Sequence, residues 1–188
     1  MYAKPPTPPV GIPVHIKNLR TTDILVGDPM KPCRLMPFFF VGAGGDPPPV
    51  WSPSPPSMVP SCDSLMSNGA CSGDAQCLPP VLARIVPGGT YTTTWAGFDW
   101  NSDAMPGSCY ANPTCNSTIC WYPRTSGGSR NVDVEVASMP LCGGSPCTCT
   151  PDASGSCEVQ GPFTGDVSPF GGGMWTSGQA TMDLTVGP

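Results

Sequence analysis

Charge is what this chain has least of. Asp, Glu, Lys and Arg together make up 11% of its 188 residues, against about a quarter in an average globular protein. Eight residues are basic and the net charge is −5. The basic residues are spread from Lys4 to Arg130 without a cluster. No stripe is available to neutralise phosphates, which argues against a nucleic-acid partner. The same scarcity argues against an anionic membrane surface. No apolar run approaches the ~20 residues of a membrane-spanning helix, so no transmembrane segment is expected. The opening Met1-Tyr2-Ala3-Lys4 lacks the apolar core of a signal peptide, so an exported chain with this start reads as a mature form.

Histidine is nearly absent too, and that removes most of the catalytic repertoire. His15 stands alone, between Val14 and Ile16, on what reads as the polar face of a strand. A Ser-His-Asp or Cys-His group would have to use it, and no nucleophile is identifiable beside it. No Gly-x-Ser-x-Gly occurs. Blue-copper, zinc and non-haem iron sites that need two or three histidines are excluded by the same count. Nine methionines are present but scattered, so Cu(I) binding with Cys147-Thr148-Cys149 is a minor reading. No Asp-x-Asp-x-Asp-Gly calcium loop occurs. The glycine stretches 42–45 and 171–173 lack the Lys and the strand-to-helix context of a phosphate cradle, and read as loops. No catalytic residue, metal ligand or cofactor is assigned.

Cys-x-x-Cys is missing as well, although the chain carries eleven cysteines. Structural zinc sites and thiol oxidoreductases usually carry that spacing. The gaps here suit disulfides that close loops, and so many thiols point to an oxidising compartment. The expected location is secreted, periplasmic or cell-surface. Ten cysteines are the disulfide candidates: Cys62, Cys71, Cys77, Cys109, Cys115, Cys120, Cys142, Cys147, Cys149 and Cys157. An odd count leaves one over, and Cys33, isolated near the first strands, is the candidate unpaired thiol.

Proline and glycine are abundant, at 27 and 23 residues. Five tryptophans and six phenylalanines oppose a disordered reading, because such residues drive burial. Residues 1–13 form an extended Pro-rich arm, and 14–188 read as one domain. Val14 to Lys17 and Ile24 to Val26 read as an opening β-hairpin, and Leu35 to Val41 as a third strand. Val81 to Val86 and the Thr-rich Thr90 to Trp95 flank a Pro87-Gly88-Gly89 turn. Ile119 to Tyr122 is a short strand. Asn131 to Val136 alternates most cleanly, with valines on one face and Asn131, Asp133 and Glu135 on a solvated one. A last strand runs from Ala180 to Val186, with Met182, Leu184 and Val186 on one face. Helical period never extends beyond about two turns. The pattern predicts an all-β, antiparallel β-sandwich with long disulfide-stapled loops.

The stretch Val86-Pro87-Gly88-Gly89-Thr90-Tyr91-Thr92-Thr93-Thr94-Trp95-Ala96-Gly97 resembles the strand–"PG"–strand–"W-x-G" element of BsuPI-type immunoglobulin-like domains. Gly128 to Val136 is similar to the later Gly-led valine strand of that family. The resemblance covers residues 81–138. With the Cys, Gly and Pro content, the chain also resembles secreted cysteine-rich proteins of myxobacteria. The resemblance implies an immunoglobulin-like sandwich and, as an alternative function, an extracellular protease inhibitor; it implies no functional residue.

Trp51, Phe98 and Trp100 fall in expected loops, where large aromatics anchor sugar or protein partners; they are the candidate contact surface. Trp95 and Trp121 fall in strands and read as core. The expected function is a non-enzymatic structural or binding module, a subunit of an extracellular assembly, with a protein partner or a second copy. Protease inhibition is the alternative and carbohydrate binding, with a glycan partner, the third.

Overall fold

The computed structural model describes residues 11–27, 38–41, 50–51, 61–67, 81–104, 107–112, 119–125, 127–142, 145–146, 148–160 and 163–188. Among them the strands are β1 (Ile12–Asn18), β2 (Ile24–Val26), β3 (Phe38–Val41), β4 (Val50–Trp51), β5 (Val81–Ile85) and β6 (Thr90–Trp95). They continue as β7 (Phe98–Ala104), β8 (Ile119–Thr125), β9 (Ser129–Cys142), β10 (Ser145–Pro146), β11 (Ser156–Gln160), β12 (Phe163–Thr176) and β13 (Met182–Val186). One short helix, α1 (Cys62–Ser67), lies between β4 and β5, and a 3-10 turn spans Gly107–Cys109. The all-β class holds.

Eleven strands form one mixed sheet that nearly closes into a barrel, in the order β11-β5-β2-β9-β12-β13-β1-β6. On its other edge β9 also carries β3, with β4 beyond it, and β10. Each strand follows its local pattern. In β13 the burial alternates without exception: Met182, Leu184 and Val186 inside, Asp183 and Thr185 outside. In β1, Val14 and Ile16 are fully buried while Lys17 is exposed and His15 half-buried, its Nδ1 3.0 Å from Thr92 Oγ1. Ile12 and Pro13, expected in the arm, already belong to β1.

Two pairings differ from the expectation. The sheet is not purely antiparallel, because β1 runs parallel to β13, from Val14 opposite Met182 to Asn18 opposite Val186. The opening hairpin does not form either: β1 lies between β13 and β6, while β2 joins β5 and β9. Asn18 is the reason. Fully buried at the end of β1, it donates from Nδ2 to the carbonyls of Thr22 and Ile85, both at 2.9 Å, and accepts from the Arg20 amide. Its own amide donates to the Gly89 carbonyl, and Gly88 N donates back to its carbonyl. These bonds turn residues 19–23 across the barrel end, so the chain cannot fold back beside β1. Asn18→Ala leaves the buried Ile85 carbonyl without its side-chain partner. The expected loss is about 2–3 kcal/mol, read as a lowered midpoint in denaturant with an unchanged slope; a change below about 0.5 kcal/mol would show that water replaces the amide.

Aromatic rings fill the barrel. Phe40 and Trp95 lie 4.7 Å apart between centroids, and Trp175 meets Trp95 edge-on at 5.0 Å. Val132, Val134, Val136, Ile85, Phe38 and the inner residues of β1 and β13 complete the core. Burial of this apolar surface is the dominant favourable contribution to folding. The Trp95 indole donates to the Phe98 carbonyl at 2.9 Å, so its polar end is satisfied.

The outer face of β2, β5, β9 and β11 is not bare. Leu82, Ala137 and Val159 are buried there against Leu25 and Cys149. This cover changes the reading of the valine strand. Asn131 is exposed and Asp133 half-buried, as a polar face should be, but Glu135 retains only 5% exposure. The solvated face ends at Asp133: Glu135 and Ala137, next along that face, are both buried, Ala137 within this second apolar layer. Burial also raises the Asp133 carboxyl above its usual range. The glycines at 171–173, expected in a loop, lie inside β12, where the ladder to β9 is interrupted between Pro169 and Gly172.

Candidate functional site

Strands β7 and β8 stand apart from the main sheet as a two-stranded ribbon, running from Phe98 opposite Thr125 to Ala104 opposite Ile119. Helix α1 covers it. Ser61 caps the helix, its Oγ accepting from Ser64 N at 3.1 Å, and its backbone bridges to Trp121 on β8. Cys62 in the first turn is joined to Cys120 on β8, with Cα atoms 4.9 Å apart. Leu65, Tyr110 and Tyr122 pack around that bridge as a core separate from the barrel's. Ala111 N donates to the Leu65 carbonyl at 2.8 Å, tying the 3-10 turn to the helix end. Met66, Ile119 and Cys109 are exposed around this unit.

The candidate contact residues are dispersed. None lies in the loop expected for it. Phe98 begins β7 and is 6% exposed, and its carbonyl accepts from the Trp95 indole at the junction of ribbon and barrel. Trp100 is half-buried on the same strand, opposite Pro123. Trp51 belongs to β4, paired with Phe40, and its side chain lies outside the described residues. Of the two tryptophans read as core, Trp95 is fully buried and Trp121 only half-buried.

The cysteines resolve in part. Cys62–Cys120 and Cys149–Cys157 are disulfides. Cys109, expected in a disulfide, instead carries a free and exposed thiol; its turn points it outward while Tyr110 takes the buried position beside Cys62 and Cys120. Cys33, Cys71, Cys77, Cys115 and Cys147 lie outside the described residues, as does the side chain of Cys142. Among the described residues no group of three or more His, Cys, Asp or Glu converges to hold a metal, and no helix is long and apolar enough to cross a membrane.

The Cys149–Cys157 loop docks against the end of β5 and the start of β6. Val86 N donates to the Gly155 carbonyl at 3.0 Å and Thr90 N to the Ser154 carbonyl at 2.9 Å. Gly155 is needed there: its φ is +78°, and a Cβ would come within 2.9 Å of Gly89 Cα. Arg84 pairs with Asp23 and donates from Nη1 to the Cys149 carbonyl at 2.9 Å, fixing the loop's other end. Inside the loop, Asp152 Oδ1 accepts from Ser154 Oγ and from the amides of Ser154 and Ser156, which holds its carboxyl below the usual range.

Beyond this contact β6 and β11, the two ends of the strand order, are not paired with each other, and the line between them is a seam. Tyr91 crosses it, its hydroxyl donating to Glu158 Oε1 at 2.9 Å. Burial, followed by the hydrogen bond and charge of Glu158, pushes the Tyr91 phenol well above its usual range. A raised phenol stabilises the fold only while protonated. That contribution is complete below the unfolded phenol's value of about 10 and is lost as pH rises past it. Denaturant titrations between pH 8 and pH 12 are expected to show stability falling above about pH 10, with a shallower fall in Tyr91→Phe. Equal slopes in both proteins would remove Tyr91 as the cause.

No protein-family model matches this chain, and neither a curated protein nor a solved structure matches it.

Proposed function

We propose that this chain is a non-enzymatic binding or structural module of an oxidising, extracellular or periplasmic compartment, acting as a subunit of a larger assembly. The observation that carries the reading is the ribbon unit. β7, β8 and α1 have their own small core and their own disulfide, and they present Met66, Ile119 and the free Cys109 thiol to solvent. A stapled element of this kind keeps its shape while offering contacts, which limits the ordering cost of binding. The two disulfides of the described residues are compatible with such a compartment.

The immunoglobulin-like reading of residues 81–138 belongs to the same proposal. It is supported by the turn at Pro87–Gly88 between β5 and β6 and by the buried Trp95 that follows. Protease inhibition stays as the alternative, supported by the disulfide-closed loop between Cys149 and Cys157, whose residues 152–154 are exposed. No inhibition of a panel of secreted proteases by the intact protein would retire it.

The test of the assembly reading is intact mass, with and without reductant, on protein purified from its source. A multimer linked between chains that falls to monomer on reduction, and that is lost in Cys109→Ser, is the expected result. A non-reduced protein that is monomeric in native mass spectrometry at every concentration would overturn it.

A further inference from the structure

The geometry points to the seam between β6 and β11 as a docking slot for one extended strand of a partner protein, carrying a basic residue opposite Glu158. This rests on the binding-module reading above. Following the pairings round the sheet, β6 opposes β1, β1 runs with β13, and each later step from β13 through β12, β9, β2 and β5 to β11 reverses direction. β6 and β11 therefore head the same way from their joined ends. A single strand running opposite to both completes the barrel.

The edge groups face that gap. Backbone groups in an antiparallel ladder alternate between the partner and the open side. Thr90 N points to Ser154, away from β1, so Thr92 and Thr94 direct their N–H and C=O groups the same way. On β11, the Gly155 carbonyl faces Val86 at the end of β5, and Ser156 faces its own loop through Asp152. Glu158 then directs its backbone into the gap. Thr92, Thr94 and Glu158 are all exposed, and among the described residues no further strand pairs with these edges. Open sheet edges of this kind take added strands through main-chain hydrogen bonds.

Charge selects the occupant. The Glu158 carboxylate meets a neutral phenol, the Tyr91–Glu158 bond forms the floor of the slot, and the chain as a whole is acidic. A second acidic copy is repelled where a basic strand is attracted. The rest of the strand needs small or β-branched residues, to lie beside exposed Thr92 and Thr94.

The probe is a short, end-capped, fluorescently labelled peptide of alternating Val and Thr with a central Lys. Two relatives serve as controls, one with Glu at the centre and one with N-methylated amides. The Lys peptide is expected to bind saturably by anisotropy, the Glu peptide at least about fivefold more weakly, and the methylated peptide not at all. Glu158→Lys inverts the preference between the Lys and Glu peptides. Thr92→Pro, which removes an amide directed away from β1, weakens both. Amide exchange at Thr92, Thr94 and Glu158 slows on binding. Absence of saturable binding, or equal binding of the methylated peptide, overturns the slot. Concentration-dependent protection of the same amides without peptide overturns the foreign partner in favour of a second copy. A reducible multimer that ignores the peptides keeps the assembly reading and removes the slot; a strict monomer that binds the Lys peptide does the reverse.

Discussion

Gly172→Ala is expected to lose more than about 4 kcal/mol, enough to leave a domain of ordinary stability largely unfolded. Gly172 lies where β12 is paired on both sides, to Asp133 of β9 and to Thr185 of β13. Its φ is +146°, and a Cβ built there would overlap the Val132 carbonyl oxygen and lie 2.9 Å from the carbonyl carbon. Both obstacles are backbone, so no rotamer change relieves them; either the β9–β12 ladder opens or β12 shifts register. A shift by one residue would move Trp175 from the core to the solvent face. Gly178 supplies the control. Its φ is also positive, at +93°, but nothing lies within 4 Å of an added Cβ. Gly178→Ala is therefore expected to lose about 1 kcal/mol, the backbone term alone. Denaturant midpoints of the two variants measure the difference. Similar midpoints would mean that the main sheet tolerates an opening at Val132.

The Cys62→Ser/Cys120→Ser pair is the second large effect, and it is expected to be local. The bridge closes a separation of 58 residues, for which the chain-entropy estimate is about 4 kcal/mol; the separation of 8 at Cys149–Cys157 gives about 2–3 kcal/mol. The small core around Leu65, Tyr110 and Tyr122 has little else to resist that loss, and the barrel's residues lie in a different cluster. Amides of β7 and β8 should lose protection from hydrogen exchange while those of β9 and β12 keep theirs. Serine in both positions avoids leaving a new reactive thiol beside Cys109. Uniform loss across barrel and ribbon would show that the two cores fold as one cooperative unit. Preserved ribbon protection would show that the helix cap at Ser61 and the contacts of Leu65 suffice.

Several elements were plain in the sequence because their signal is local. The period of two in Val132, Val134 and Val136, and in Met182, Leu184 and Val186, survives in the burial of β9 and β13. Thr90 to Trp95, rich in β-branched and aromatic residues, is a strand with the expected bounds. The signal failed where a second layer or a bulge intervened. Glu135 obeys the alternation yet is buried, on the face where Leu82, Ala137 and Val159 form a second apolar cluster. Gly171 and Gly172 look like loop residues, but their positive φ values serve an irregularity inside a strand. Phe98 and Trp100 sit in a polar-looking stretch that becomes a strand only by pairing with Pro123 and Thr125.

The sequence by itself determined the class of this protein: strands rather than helices, a modest charge, cross-links in place of a charged surface, and an odd thiol left by eleven cysteines. Composition and side-chain period are properties of neighbouring residues, and they act whatever the rest of the chain does. Tertiary structure alone decided which strands meet, that β1 lies parallel to β13 across more than 160 residues, that Cys62 reaches Cys120, that Cys109 carries a free thiol, and that β6 and β11 stand unpaired at the two ends of the strand order. Those outcomes depend on contacts between distant segments. Many pairings satisfy the same local pattern, and only simultaneous packing of the whole core and satisfaction of groups such as Asn18 selects one.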